Sequence, residues 1–279
     1  MQQGNYILLR IIVAIELSII FFVTVKILSV ANKRMIPLES DFSSIDEKIS
    51  YYKNIDESIK NKYEEYTDNI SKLEKKIQKK EAKVKIAYLT FDDGPYDQTT
   101  KILDVLEKND ARATFFTLGK KDYIKTYQRI VDEDHVLANH TYYHNIRSGL
   151  YKSVSNFTSQ IKKHEDFLYG ITGYKTTLLR FPGGSSTAGK LKSSIVSEIH
   201  KMGYKYVDWN CQTGDGSDKM MAEHDAFYWY KNTCTQNIIV ILMHDYNYST
   251  YSNLDKIIKD LRERNYLILP LTNKSVMAQ

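Results

Sequence analysis

Polar side chains that could bind a metal ion or move a proton follow several apolar segments of the sequence. Asp92 and Asp93 come directly after one such segment and precede Gly94-Pro95. Adjacent carboxylates repel each other, and a bound cation would offset that repulsion. Asp-Asp-Gly-Pro is also an ordinary turn sequence. The tetrapeptide alone therefore leaves a metal site and a simple turn as alternatives.

Two histidines, His140 and His144, are four residues apart. On one helical turn both imidazoles would share a face, which is the spacing of paired zinc ligands. With one aspartate they make three protein ligands, and the open fourth position is typical of catalytic zinc. Histidines at this spacing can also be solvated or capping residues. The remaining isolated histidines are interpreted as structural or surface residues: His135, His164, His200 and His224.

Charged groups also end other apolar runs. Arg180 ends one, and a guanidinium there needs a partner, for which Asp92, Asp215 or substrate is a candidate. His244 follows another apolar run and precedes an acid. A histidine in such a place is suited to general acid catalysis, although a capped core histidine is the plainer interpretation.

These residues need a scaffold that brings the ends of several strands together. From Val84 onward, short apolar runs alternate with amphipathic stretches, which predicts βα units and a parallel sheet. The predicted strands are 84–91, 111–118, 135–139, 177–181, 204–209, 237–243 and 266–269. The predicted helices are 98–108, 121–133, 153–169, 189–202, 219–232 and 253–264. About seven or eight strands favour an α/β fold of the distorted TIM-like (β/α)7–8 barrel type, whose chemistry sits at the strand C-termini.

Residues 1–34 are predicted to be a membrane anchor or signal segment. The apolar stretch 6–30 is long enough to cross a bilayer, despite Glu16 inside it. A signal peptide cleaved near Ser29-Val30-Ala31 is the alternative. Lys26, Lys33 and Arg34 follow the apolar core, residues 11–25, so the positive-inside rule favours a cytoplasmic C-terminal part. The chemistry argued below favours the opposite orientation, with the domain outside a cell membrane.

Residues 35–83 are predicted to form a helical stalk. Between residues 40 and 83 there is no glycine or proline, and apolar residues recur at three- and four-residue steps. A short coiled coil that dimerises is possible on this pattern, and an amphipathic helix packed on the domain is the alternative. The predicted domain then occupies residues 84–279.

Composition narrows the function classes. The chain has 279 residues and a net charge of +5, without a basic cluster interleaved with aromatic residues, so a nucleic-acid partner is not expected. Its two cysteines, Cys211 and Cys234, are either a disulfide of an exported protein or two free thiols.

Taken together, the motifs resemble those of the NodB-homology polysaccharide deacetylases, carbohydrate esterase family 4, over residues ~84–272. Five motifs carry the resemblance in the same order: Thr90-Phe91-Asp92-Asp93-Gly94-Pro95, His140-Thr141-Tyr142-Tyr143-His144, Arg180-Phe181-Pro182-Gly183, Trp209 to Gly216, and Leu242-Met243-His244. The segment Thr114-Phe115-Phe116 also looks like the family's second strand.

The resemblance implies a role for each matching residue. Asp92 would be the general base and Arg180 would orient it, while His244 would be the general acid, tethered by Asp215. The metal ligands would be Asp93, His140 and His144, holding zinc, cobalt or another divalent ion. Substrate would be bound by Gly183, Trp209 and Leu242, with Leu242 beside the acetyl methyl group.

Two positions depart from the family pattern. Gly183 stands where the family has a tyrosine, and Gly216 stands where it has a tryptophan of the groove wall. Both changes imply a more open groove, but neither removes a group that carries out the chemistry.

The resemblance implies metal-dependent N-deacetylation of a cell-wall glycan, with peptidoglycan N-acetylglucosamine as the expected substrate and acetate as a product. Deacetylation of chitin, poly-N-acetylglucosamine or an O-acetylated xylan by the same residues is the alternative. A third alternative is an inactive sugar-binding module that kept the fold.

Overall fold

The computed structural model describes residues 45–279. The helices are α1 Ile45–Gln78, α2 Asp97–Lys108, α3 Ile124–Asp132, α4 Val154–Thr172, α5 Lys192–Lys201, α6 Asp218–Glu223, α7 Ala226–Thr233 and α8 Tyr248–Glu263. The strands are β1 Lys85–Asp92, β2 Thr114–Thr117, β3 Val136–Asn139, β4 Leu178–Leu179, β5 Lys205–Tyr206, β6 Cys211–Gln212, β7 Ile238–His244 and β8 Tyr266–Ile268. Short 3-10 turns occupy Lys121–Tyr123, Leu150–Lys152 and Ser185–Leu191.

The eight strands form one parallel sheet in the order β5-β4-β3-β2-β1-β7-β6, and β8 pairs with the first residues of β1. The predicted alternation of strands and helices is therefore confirmed. In the part of the chain described, the hydrogen-bonded path ends at β5 and β6, which do not pair with each other. The predicted distorted barrel is thus a parallel half-barrel.

Several elements differ from their predicted bounds. Strands β4 and β5 have two residues each and are shorter than the predicted strands 177–181 and 204–209. The short strand β6 was not predicted. The single helix predicted over 219–232 is two helices, because Asp225 accepts a hydrogen bond from the Tyr228 amide at 2.9 Å and caps a new helix.

Alternation along β1 separates two cores. Ala87, Leu89 and Phe91 pack with residues of the surrounding helices, whereas Ile86 and Tyr88 pack inside the half-barrel. Successive strand residues point to opposite faces, so Thr90 and Asp92 continue the inner row toward the C-terminal end.

Strand β7 follows the same rule. Ile238 and Val240 belong to the inner core, and Leu242 and His244 extend that row. Asp92 and His244 are register partners on these adjacent parallel strands. Both side chains therefore meet at the same end of the half-barrel.

The last turn of α1 packs on the domain. A compact unit runs from Leu73 to the end of the chain, and Leu73 and Ile77 lie against the inner core. Glu74 is buried, and it accepts hydrogen bonds from the Tyr88 hydroxyl at 2.8 Å and the Val276 amide at 2.9 Å. In this last turn, α1 agrees with the predicted alternative of an amphipathic helix packed on the domain rather than with a free stalk.

The predicted membrane segment, residues 6–30, lies outside the described residues. Among the residues that are described, no helix is both long and apolar enough to span a bilayer.

Cys211 and Cys234 are joined by a disulfide, with their Cα atoms 4.9 Å apart. The bond ties β6, at one edge of the sheet, to the end of α7. Of the two alternatives for these cysteines, the disulfide is the one that the structure contains.

Candidate active site

Asp93, His140 and His144 converge at the C-terminal end of the half-barrel. Oδ1 of Asp93 lies 3.5 Å from Nε2 of His140 and 3.5 Å from Nε2 of His144. One ligand atom from each residue lies within 4.8 Å of the others. The exposed fraction of the side chain rises from 2% for His140 to 18% for Asp93 and 30% for His144. A substrate or water could therefore reach the cluster from the His144 side.

The histidine pair is not on a helical turn, so that part of the prediction is wrong. β3 ends at Asn139, and His140 to His144 lie in a loop in which Thr141 and His144 have φ of +67° and +52°. Asn139 holds the loop through its Oδ1, which accepts from the Thr141 amide at 2.9 Å. Two left-handed residues bring the imidazoles together, at a centroid distance of 5.0 Å, where a helix was expected to do so.

Asp93 also has a left-handed backbone, with φ of +74°. The preceding residue, Asp92, is the last of β1 and points into the half-barrel. The left-handed turn lets the two consecutive carboxylates face the same site.

The three residues fit a divalent metal ion. Oδ1 of Asp93 is buried and has no hydrogen-bond partner, which is costly for a carboxylate unless a cation completes it. Nδ1 of His140 lies 2.8 Å from the Arg180 carbonyl oxygen, so Nδ1–H donates there and leaves the Nε2 lone pair facing Asp93. Burial lowers the pKa of His140 to about 3, which keeps the ring neutral. Nitrogen and oxygen donors of this kind suit zinc and other divalent ions.

Asp92 lies beside the cluster and is held by Arg180. Oδ1 of Asp92 accepts from Nη1 of Arg180 at 2.8 Å, and its Oδ2 is 3.8 Å from Nε2 of His140. Arg180 is fully buried, and its Nη1 and Nε also donate to Thr90 Oγ1 at 2.8 Å and the Val207 carbonyl at 2.9 Å. Burial raises the pKa of the Asp92 carboxyl, and the guanidinium partly offsets this. The carboxylate is therefore oriented and basic.

His244 is held by Asp215, which lies in the loop after β6, the strand next to β7 in the sheet. Nδ1 of His244 lies 2.9 Å from Oδ1 of Asp215, and the His244 amide donates to Oδ2 at 2.6 Å. Burial lowers the pKa of His244, but the hydrogen bond to Asp215 and the charges of Asp215, Asp92 and Asp93 outweigh it and bring the value to about 9. The imidazolium, with its Nε2 left to donate, is the form that the site favours.

The three predicted substrate residues lie around this site. Leu242 is on β7, two residues before His244 and on the same face of the strand. Gly183 has φ of +73°, and Gly184 follows it with φ of +83°. A Cβ on Gly184 would come 3.1 Å from the Trp209 ring, which places Trp209 against the turn after β4.

Some residues of the site were not predicted to have a role in it. Thr250 donates to Oδ2 of Asp215, and Asn247 donates to the Asp215 carbonyl at 2.9 Å. Asp208 accepts from the Ser185 amide at 2.9 Å and from the Ser185 hydroxyl. These contacts join segments far apart in the chain, and no local sequence pattern indicates them. Thr90, which accepts a hydrogen bond from Arg180, differs from these residues because it begins the sequence motif that contains Asp92.

Comparison with known proteins agrees with this arrangement. The polysaccharide deacetylase family matches residues 79–207. A putative polysaccharide deacetylase of Bacillus subtilis, YheN, is 35% identical over 188 residues, which are 65% of this chain and 65% of that protein. The chain thus spans slightly less than two thirds of that relative's length.

Two further relatives come from Bacillus cereus. A peptidoglycan-N-acetylglucosamine deacetylase is 32% identical over 65% of this chain and 67% of its own length. The crystal structure of the polysaccharide deacetylase Bc1974 superposes with a TM-score of 0.62 at 30% identity, covering 68% of this chain and 94% of that structure.

Proposed function

The chain belongs to the polysaccharide deacetylase family, and we propose on that premise that it hydrolyses the acetamido groups of a cell-wall polysaccharide, with peptidoglycan N-acetylglucosamine as substrate. One observation carries the proposal. Asp92 and His244 are partners on adjacent strands and flank the Asp93–His140–His144 cluster. A base, an acid and a metal site at one exposed end of a half-barrel are what amide hydrolysis needs.

Asp93, His140 and His144 would hold the metal ion, for which zinc is our proposal. When bound, such an ion polarises the acetyl carbonyl and acidifies a water molecule at the site. Because Asp93 Oδ1 is the oxygen between the two imidazoles, Asp93 is the ligand and Asp92 stays available for proton transfer.

Asp92 acts as the general base. Its Oδ1 is engaged by Arg180, so Oδ2, on the side of His140, accepts the proton of the attacking water. The water oxygen forms a bond to the carbonyl carbon as that proton leaves. Arg180 is a positioning residue, since its buried guanidinium fixes the carboxylate without reaching the surface.

His244 acts as the general acid. Nδ1–H is held by Asp215, and the Nε2 proton passes to the amide nitrogen as the C–N bond breaks. The products are acetate and a free amino sugar. Asp92 then passes its proton to His244 or to solvent, so that Asp92 is again a carboxylate and His244 is again protonated.

We propose that the site lies in an open groove. Gly183 and Gly216 have no side chains there, and a Cβ on Gly216 would come 2.6 Å from Cε1 of His244. We propose that Leu242 contacts the acetyl methyl group, that the Gly183 amide faces the acetyl oxygen and that Trp209 supports this turn. Such a groove suits a sugar within a long glycan, because both ends of the chain can leave it.

Chitin, poly-N-acetylglucosamine and O-acetylated xylan are the competing substrates, since the same acid, base and metal site would serve each of them. An inactive sugar-binding module is the alternative from another class. It is disfavoured by the retention of every group that would move a proton or bind the metal, namely Asp92, Asp93, His140, His144 and His244.

We also propose that residues 6–30 anchor the chain in the cell membrane with the domain outside, and that the helix before the domain separates the two or dimerises. The Cys211–Cys234 disulfide supports an exported domain, because structural disulfides persist in oxidising surroundings. Protease treatment of intact cells should remove the domain. Protection of the domain would mean that it faces the cytoplasm.

The decisive experiment is acetate release by the zinc-loaded protein from a panel of acetylated glycans. We expect release from peptidoglycan fragments, loss of release with a chelator and recovery on zinc addition. The matched control is a fragment that is already de-N-acetylated, which should yield no acetate. Release from acetylated xylan but not from N-acetylated glycans would reassign the bond, and no release from any glycan would favour the binding module.

A further inference from the structure

A tyrosine at the mouth of the site has no assigned role. Tyr246 lies two residues after His244, and the two rings are 5.3 Å apart between centroids at an interplanar angle of 42°. Its relative exposure is 40%, which makes it one of the exposed large side chains among the described residues. A half-exposed ring in contact with the proposed general acid lies where a bound substrate could pack against it.

The backbone on both sides of this tyrosine is held in place. Asp245 is fully buried, and its Oδ2 accepts from Thr99 Oγ1 at 2.6 Å. Asn247 caps α8 through the Ser249 amide at 2.8 Å and donates to the Asp215 carbonyl at 2.9 Å. Tyr246 is therefore presented from a rigid segment, so little conformational entropy remains to be lost when a ligand binds.

A second ring supports the first. Tyr96, which follows Gly94-Pro95, meets Tyr246 edge to face with centroids 5.5 Å apart. Burial raises the pKa of both phenols, and the charge of Asp93 adds to this in each case. The two neutral phenols thus lie near the metal site, one beside the acid and one beside the turn that carries Asp93.

Another contact of His244 is with a residue that has no side chain. Gly216 abuts the imidazole, and a Cβ there would be 2.6 Å from Cε1. Tyr143, the exposed tyrosine next to His144, has its hydroxyl engaged by Lys163. Among the described residues, Tyr246 is thus the exposed ring in direct contact with His244.

We propose that Tyr246, backed by Tyr96, is a sugar-binding surface of the active site, on which the pyranose ring carrying or adjoining the acetamido group packs. The inference rests on the proposed function and adds a subsite to it. A tyrosine offers an apolar ring face on which the C–H groups of a pyranose can pack. Its contact with His244 sets the ring beside the amine that departs.

The test compares Tyr246→Ala, Tyr246→Phe and the control Tyr169→Ala in the full, zinc-loaded protein. Tyr169 is 60% exposed and lies in the last turns of α4, away from the strand C-termini. A contact made equally in the ground and transition states changes KM rather than kcat. We expect Tyr246→Ala to raise KM for N-acetylglucosamine oligomers about tenfold, with Tyr246→Phe and Tyr169→Ala close to wild type.

A binding measurement separates this inference from the proposed function. Calorimetric titration of N-acetylglucosamine oligomers into Asp92→Asn and Asp92→Asn/Tyr246→Ala proteins should show about tenfold weaker binding for the second, without any turnover. Equal affinities would overturn the subsite even if the wild type releases acetate. A changed kcat and pH profile at unchanged KM would also overturn it, because Tyr246 would then act by positioning His244. If the wild type releases no acetate but Tyr246→Ala still weakens oligomer binding, only the proposed hydrolase activity is contradicted.

Discussion

The carboxylate of Asp245 lies directly against Gly94, so that a Cβ on residue 94 would come 1.8 Å from Oδ2 and 2.5 Å from Cγ. Asp245 cannot easily move, because it is fully buried and bonded to Thr99. Gly94 follows Asp93, the proposed metal ligand. The two segments that carry the ligand and the acid are therefore packed against each other through a residue without a side chain.

Gly94→Ala should displace the turn that aims Asp93 at the histidines. We expect at least a tenfold loss of zinc affinity, measured by competition with a chromogenic chelator, since displaced metal-site geometry costs about 10–100-fold. The control is Gly170→Ala, whose Cβ meets nothing within 4 Å in α4.

A double-mutant cycle tests whether the contact between residue 94 and Asp245 causes the loss of zinc affinity. If the clash with Asp245 is responsible, Gly94→Ala should cost less affinity in an Asp245→Ser background. Wild-type zinc affinity in Gly94→Ala would contradict the proposed coupling.

Asp92→Asn and Asp93→Asn should fail in different ways. Asp92→Asn removes the base, so turnover should fall by about 10²–10⁴-fold while bound zinc, measured by metal analysis, is retained. Asp93→Asn removes a ligand and should lose zinc. Melting temperatures of both variants serve as the control for folding, because Asp92→Asn leaves the buried Arg180 without its carboxylate. If Asp92→Asn keeps full turnover, the base is another group.

The pH dependence of turnover should report His244. Its pKa is raised to about 9 despite burial, chiefly by the hydrogen bond to Asp215, so the acid is protonated below pH 9 and activity should fall above it. Asp215→Asn removes the negative charge that favours the imidazolium, and the alkaline limb of kcat should move to lower pH. Glu223→Gln, a change on a nearby exposed helix, is the control. An unchanged limb in Asp215→Asn would assign it to another group.

Glu74 should make stability depend on pH. Burial raises its pKa to about 7 from its ordinary 4.5, although hydrogen bonds from Val276 and Tyr88 lower it in part. Because the folded value is the higher one, the stabilising contribution is complete below about pH 4.5 and is lost as the pH rises through about 7. The difference corresponds to about 3 kcal/mol at full ionisation.

Glu74→Gln removes this titration, so the unfolding free energy of the variant relative to wild type should increase between pH 4.5 and 7.5, by denaturant titration in the presence of a chelator. Glu65→Gln changes an exposed glutamate of the same helix and should show no such trend. A constant difference across this range would mean that Glu74 does not titrate there.

Much of the scaffold could be predicted from local patterns. The alternation of short apolar runs and amphipathic stretches identified β1, β7 and the helices between strands, because burial of one face imposes a fixed period on the chain. The same alternation placed Asp92 and His244 at strand ends. Short strands such as β4 and β6 were poorly predicted or missed, since two residues are too few to show a period.

The sequence by itself determined which groups could do chemistry: the paired aspartates after β1, the two histidines after β3, Arg180 and His244. It did not determine their geometry. The histidines meet through left-handed residues rather than on a helix, and the Thr141 amide supports this loop by donating a hydrogen bond to Oδ1 of Asn139. Only local backbone preference is visible in a sequence, and a left-handed threonine goes against that preference.

The tertiary structure decided the contacts between distant segments. The register of β1 and β7 brings Asp92 beside His244, across about 150 residues of chain. Arg180 is buried between strands, where it holds the Asp92 carboxylate. Asp245 packs against Gly94, which places the segment that carries Asp93 against the segment that carries His244. Such contacts depend on how all the elements pack together, and the residues involved show no signal until they are packed.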